Sequence, residues 1–307
     1  MNILVSGSSG LIGSALVQRL TAEHHSVTRL VRHPAPGTQG TGHVSWDPGA
    51  GSIDLPGLDR AGPFDAVVHL AGAGIGDKRW SPARKRVILD SRVESTHLLS
   101  DSLLALSSPP PVLVSASAVG FYGIRGDEEL TESSSSGTGF LAGVCRSWEQ
   151  ATAPASSGGI RTVLVRTGVV LSRTGGALGK QLPLFRWGLG GPLGTGAQFR
   201  SWITLDDEIG VIQHCMADGH LSGPVNATAP VPATDRELAD AVGAALHRPT
   251  AVRVPAALLR VALGKDMADE LVLGGQCVRP GVLSTRGFTF AHTDLGEAVA
   301  SVLSPSP

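Results

Sequence analysis

Cysteine is nearly absent from this chain: Cys145, Cys215 and Cys277 are the only three among 307 residues. An odd number, spaced about 60 to 70 residues apart, fits neither a disulfide framework nor a zinc site, so a reducing compartment is expected. Charge is scarce too. Only 17% of the residues are charged, and 25 Lys+Arg against 26 Asp+Glu leave a formal charge of −1. There is no basic field to hold nucleic acid or an anionic membrane surface, and neither partner is expected. No run of about 18 apolar residues offers a membrane-spanning helix. The first residues, Met1 to Gly7, lack the basic region and cleavage site of a secretory signal, which points to the cytoplasm. The ten histidines form no metal-ligand pattern.

What the chain has in excess is glycine. Forty glycines among 307 residues are about 13%, against a usual figure of about 7%. With 42% hydrophobic residues the chain is not disordered, so the glycines serve turns and close backbone approaches. The length suits one large α/β domain or two modest ones.

Asn2 to Ser6 reads as a buried strand. It runs into the turn Gly7-Ser8-Ser9-Gly10-Leu11-Ile12-Gly13 and an apolar-periodic helix to about Glu23. Ser26 to Val31 makes a second strand, ahead of the Pro/Gly-rich stretch Pro34 to Gly42, and Phe64 to Leu70 a third. Ser81-Pro82 opens a helix toward Leu106, since serine caps orphan amides and proline at the first turn loses nothing. A strand follows from Val112 to Ser115, a helix around Leu141 to Ala153, and a strand from Arg161 to Val165. This alternation predicts an α/β fold, a Rossmann-type doubly wound parallel sheet over residues 1–170. Residues 171–307 are richer in glycine loops and read as a smaller lobe covering the substrate. There Thr234 and Glu237 form a capping-box pattern for a helix from Asp235 to Leu246. Further helices are expected near Pro255 to Leu263 and Thr293 to Leu303.

The spacing Gly7-x-x-Gly10-x-x-Gly13, set between a strand and a helix, is the most specific local signal. Gly7 allows the tight turn, Gly10 lets backbone approach a pyrophosphate, and Gly13 lets helix and strand pack closely. The helix amino terminus adds free N–H groups and a positive dipole end. Dinucleotide folds that prefer NAD place Asp or Glu at the end of the second strand. Here that place reads Val31-Arg32, and a guanidinium suits a 2′-phosphate, so NADP(H) is expected over NAD(H). Lys85 and Arg92 lie two turns apart on one helix face. Their spacing fits contact with cofactor phosphate or adenine as well as it fits a charged outer stripe.

The glycine turn, His69-Leu70-Ala71-Gly72, Ser115-Ala116-Ser117 and Tyr122-Gly123 together resemble an extended short-chain dehydrogenase/reductase of the epimerase/dehydratase group. Further motifs resemble its atypical branch labelled "epimerase family protein": Arg79-Trp80, Ser91-Arg92, Trp148-Glu149, Arg166-Thr167-Gly168, Ser201-Trp202-Ile203, Gly223-Pro224-Val225-Asn226, and a C-terminal module over about residues 250–298. The resemblance implies cofactor contacts at Gly7, Ser8, Ser9, Gly10, Leu11, Ile12, Gly13, Val31, Arg32, Leu70, Ala71, Gly72, Arg92, Gly168 and Val170.

That group works with a Tyr-x-x-x-Lys pair, in which lysine lowers the tyrosine pKa for proton exchange. This chain departs from the pattern. Its one tyrosine, Tyr122, is followed four residues on by Gly126, and the place ahead of Glu149 reads Leu141 to Cys145. Ser117 matches the group's serine, which bonds a substrate hydroxyl or carbonyl; the alternative is a strand-end serine serving local backbone. Tyr122 matches the Tyr-Gly pair and reads either as a group near the nicotinamide or as packing. Two functions follow as expectations. One is an NADP(H)-dependent oxidoreductase or epimerase-like enzyme, monomer or homodimer, acting on a polar small molecule such as a nucleotide sugar or other carbonyl compound. The other is a catalytically impaired NADPH-binding module acting through protein interaction.

Overall fold

The computed structural model describes residues 1–32 and 42–304, so the stretch Pro34 to Gly42 lies outside the described residues except for Gly42. The central sheet has eight strands: β1 Asn2–Ser6, β2 Ser26–Val31, β3 His43–Asp47, β4 Ser52–Ile53, β5 Ala66–His69, β6 Val112–Ala118, β7 Arg161–Thr167 and β8 Gly223–Ala227. They lie in the order β8-β7-β6-β5-β1-β2-β3-β4. Every pairing is parallel except β3 with β4. The chain winds outward from β1 to β4, then returns to the other side of β1 at β5. The crevice between the carboxyl ends of β1 and β5 is therefore the topological switch point, where such sheets bind ligands.

Both faces of the sheet are apolar, with a period of two residues. Ile3 and Val5, Ala66 and Val68, and Val112 and Val114 face one side. There they pack with Leu16, Val17 and Leu20 of helix α1 (Leu11–Ala22), and with Ile209 and Ile212 of a later helix. Leu4, Val67 and Leu113 face the other, against Leu99 and Leu103 of α2 (Pro82–Leu104). Buried strands of this kind read as continuous apolar runs, which is why β1 and β5 were legible. The expected doubly wound α/β fold is the one observed.

Three further helices matter here: α3 (Phe140–Gln150), α4 (Leu205–Ala217) and α5 (Asp235–Leu246). The expected capping box at Thr234 and Glu237 is formed, and Ala233 and Thr234 pair with Arg200 and Phe199 in a small antiparallel ladder. The helix expected to reach Ala153 stops at Gln150, and a separate short helix, Ala153–Ser157, carries Pro154 in its first turn. The sheet does not end at residue 170. Its last strand, β8, comes from Gly223–Ala227, and α4 packs onto the same face as α1. Beyond it, Leu171, Leu182, Trp202 and Val242 gather with Ala298 and Val299 of α6 (Leu295–Leu303) into a separate core.

Candidate functional site

Gly7 sits at φ +69°, and a Cβ there would lie 2.6 Å from the backbone of Leu70. The turn thus presses β1 against the segment leaving β5. Gly10 N–H donates to Gly7 O at 3.0 Å, and a Cβ on Gly13 would collide with that same carbonyl oxygen. Gly10 is exposed and different: a Cβ there would meet only Gly7 O, at 3.4 Å. The space above Gly10 is open, as a cradle for a pyrophosphate requires. α1 begins at Leu11 with no side-chain cap and no acidic residue in its first turn, so its free amides face that space. Ser8 is half-buried and Ser9 exposed, whereas Leu11 packs near Gly175 and Gly176 and Ile12 against the core. Val31 ends β2, and Arg32 follows it with an exposed side chain.

Beneath the crevice, fully buried His69 places Nδ1 2.7 Å from Ser6 Oγ and Nε2 2.9 Å from Thr96 Oγ1. Burial pushes the imidazole down to about 4, so it is neutral. Ser6 Oγ also accepts from Leu70 N–H at 3.2 Å, which fastens Leu70, Ala71 and Gly72 to the end of β1. Gly72 lies under Arg92: an added Cβ would stand 3.3 Å from that side chain. Arg92 donates to Ala73 O at 2.9 Å and Ile88 O at 3.0 Å, and its guanidinium stands 4.9 Å from the centre of the Trp148 ring. Burial lowers its pKa, with Arg84 adding to the effect. Lys85 does not join it. Its ammonium pairs with Asp266 at 2.5 Å.

Ser117, at the end of β6, donates its hydroxyl proton to Glu149 Oε1 at 2.6 Å. Arg166 binds both oxygens of that carboxylate, at 2.8 and 2.9 Å, and donates to the Tyr122 hydroxyl at 2.9 Å. Tyr122 in turn donates to Asn226 Oδ1 at 2.7 Å and is completely buried. Burial is the largest influence on its phenol and raises the pKa. The structure therefore places Tyr122 in a buried polar network. Cys145, where the resemblance puts the lysine, is buried, and its thiol is pushed up to about 12 by desolvation; it behaves as a small apolar group.

At the far side, a Cβ on Gly168 would collide with Ser201 O, and Gly168 N–H donates to Ala227 O at 3.0 Å. Val170, half-buried, lies in the strand Val169–Leu171, which pairs in parallel with Trp202–Thr204. Thr167 donates to Glu208 Oε1 at 2.7 Å; fully buried Glu208 has its carboxyl pushed up to about 7 by desolvation. Among the described residues no cluster of His, Cys, Asp or Glu could hold a metal ion, and no helix is long and apolar enough to cross a membrane.

Glu149, Arg166, Asn226 and Glu270 have roles that only the fold reveals. The first three stand inside the branch motifs, but nothing in those motifs marks Glu149 and Arg166 as a pair. Nothing in the sequence signals Glu270, whose contacts are made some 130 residues away.

Residues 3–219 match the model of the "NAD dependent epimerase/dehydratase family", and residues 254–302 match a domain of unknown function, DUF1731. Epimerase family protein Mb2239 of Mycobacterium bovis is 46% identical over 297 residues, 97% of this chain and 96% of its own. The crystal structure of human epimerase family protein SDR39U1 with NADPH is 34% identical, with a TM-score of 0.88 over 98% of this chain and 99% of its own. A nucleoside-diphosphate sugar epimerase from Corynebacterium glutamicum is 38% identical, with a TM-score of 0.80 over 99% of this chain and 58% of its own. The resemblance read from the glycine turn, Ser117 and the later motifs is thereby borne out.

Proposed function

This chain belongs to the NAD dependent epimerase/dehydratase family, and from that membership we propose that it is an NADP(H)-dependent oxidoreductase or epimerase acting on a nucleotide sugar or a related polar carbonyl compound. The observation that carries the cofactor is the open cradle above Gly10, at an uncapped helix end, with exposed Arg32 at the end of β2. Gly7 to Gly13 would hold the pyrophosphate, Arg32 the 2′-phosphate, and Leu70 to Gly72 with Arg92 the floor of the crevice. The human relative solved with NADPH supports the choice of cofactor, and the relative named as a nucleoside-diphosphate sugar epimerase supports the substrate class. The cofactor, when bound, supplies two-electron redox chemistry. The chain's own contribution is to orient the reacting oxygen at Ser117.

A second reading draws on a specific observation. The hydroxyl protons of Ser117 and Tyr122 are both committed inward, to Glu149 and Asn226, which suits an NADPH-binding module acting through protein interaction. The two readings part in one experiment. NADPH affinity is measured by calorimetry; protein loaded with NADP+ is then mixed with UDP-glucose or UDP-glucuronic acid, and protein loaded with NADPH with simple carbonyl compounds, while NADPH absorbance is followed and the sugar products are separated by chromatography. The enzyme reading expects binding and turnover of at least one compound. Binding without any turnover favours the module, and absence of NADPH binding rejects both.

A further inference from the structure

Helix α3 begins at Phe140 behind Gly139, with no capping side chain of its own and no acidic residue in its first turn. Its first amides are nonetheless satisfied. Glu270 accepts from Phe140 N–H with Oε1 at 3.0 Å and from Leu141 N–H with Oε2 at 2.9 Å. A carboxylate at that end also meets the positive pole of the helix dipole. Glu270 lies in the C-terminal module, and the same segment is tied down a second time where Asp266 pairs with Lys85 of α2. The Lys85 ammonium stands 5.1 Å from the centre of the Phe140 ring, and Phe140 meets Trp80 edge to face at 5.0 Å. Met267 and Ala268 are buried between the two ties. The module thus bridges α2 and α3 on the side of the sheet where the strands end.

What α3 carries gives this contact its meaning. Trp148 backs Arg92, which covers the crevice floor at Gly72, and Glu149 accepts hydrogen bonds from Ser117 and Arg166. A shift of α3 along or about its axis would move both supports together. We propose that Glu270 is a positioning residue of the site: through α3 it fixes Arg92 and Ser117, and this is the task of the C-terminal module. The proposal rests on the NADPH reading above.

The test compares NADPH affinity by calorimetry, with thermal melting alongside, for the parent, Glu270→Ala, Glu270→Asp and Asp294→Ala. Asp294 caps α6, far along the chain from α3, by accepting from Glu297 N–H at 2.9 Å. It controls for the loss of any helix cap. Glu270→Ala should bind NADPH about tenfold more weakly. Glu270→Asp, which keeps both acceptor oxygens, should fall between it and the parent. Asp294→Ala should melt earlier yet keep parental affinity. Parental affinity in Glu270→Ala overturns the proposal, as does an equal loss in Asp294→Ala. Should Glu270→Ala not fold, Glu270→Gln, which keeps one acceptor oxygen, carries the same comparison. A parent that does not bind NADPH overturns the cofactor reading and this inference with it, a result distinct from bound NADPH that ignores Glu270.

Discussion

Ser117 and Glu149 are joined across 2.6 Å by a hydrogen bond whose direction is fixed, because the carboxylate holding Arg166 on both oxygens has no proton to give. The serine hydrogen therefore points inward, and only its lone pairs are left for a ligand. Tyr122 is committed further, accepting from Arg166 and donating to Asn226. The two hydroxyls that the family resemblance singles out thus have unequal prospects of meeting a substrate.

Tyr122→Phe should leave turnover within about tenfold of the parent, well short of the loss of about 10² or more expected when a general acid or base is removed. Its effect should appear in stability instead. It strips a partner from Arg166 and from Asn226 inside a buried network, at about 1–3 kcal/mol. Ser117→Ala should cost more in turnover and less in stability. Single-turnover rates and urea midpoints for the two variants check the assignment, and a thousandfold loss in Tyr122→Phe with NADPH still bound would restore the tyrosine as a proton-transfer residue.

Within the glycine turn, Gly10 and Gly13 should fail differently. The space over Gly10 is open, so Gly10→Val should fold and lose NADPH. A Cβ on Gly13 runs into the carbonyl of Gly7, so Gly13→Ala should lose thermal stability before affinity can be read. Melting curves and NADPH titrations on both variants separate the outcomes. A Gly10→Val protein with parental affinity would place the cofactor elsewhere.

Arg32 should decide the choice between cofactors. NADPH should bind at least about tenfold more tightly than NADH, about 1.4 kcal/mol, a modest value for a charge-assisted phosphate contact. Arg32→Asp should reverse the order, since a carboxylate serves the free ribose hydroxyl. Equal dissociation constants for both cofactors on the parent would remove Arg32 from the site.

The legible part of this molecule was the part governed by local rules. β1 falls at Asn2–Ser6, as its apolar run requires, β2 at Ser26–Val31, where Val27, Thr28 and Val31 are β-branched, and the Thr234 capping box and the Ser81-Pro82 helix start form as read. The less legible part depends on contacts between distant segments. β8, Gly-Pro-Val-Asn-Ala, has no apolar run to mark it as the strand that completes the sheet, and Glu270 looks like any surface acid until the fold brings it to Phe140. Arg166 and Glu149 were visible as residues but not as a pair, because pairing needs the register of β7 against β6 and the face that α3 turns inward.

Glu208 gives a prediction that needs no ligand. Its carboxyl is raised from 4.5 to about 7 by burial, and one of its oxygens lacks a partner. The folded protein thus holds a proton that the unfolded chain releases above 4.5. Its stabilising contribution is complete below that pH and is lost as pH rises to about 7, at about 1.4 kcal/mol per pH unit while the two states differ by a full proton. His69 acts in the opposite sense. Lowered from 6.5 to about 4, it contributes stability above 6.5 that is lost as pH falls. Between 4.5 and 6.5 the two slopes oppose each other and flatten the parent's dependence. Glu208→Gln, which keeps an acceptor for Thr167, leaves the His69 slope unopposed. Its stability should rise with pH from about 4 to about 6.5 and level off, and its advantage over the parent should be greater at about pH 8 than at about pH 5. Urea midpoints across that range, read for both proteins in one buffer series, decide the matter: parallel curves would show that Glu208 carries its charge in the folded state at neutral pH.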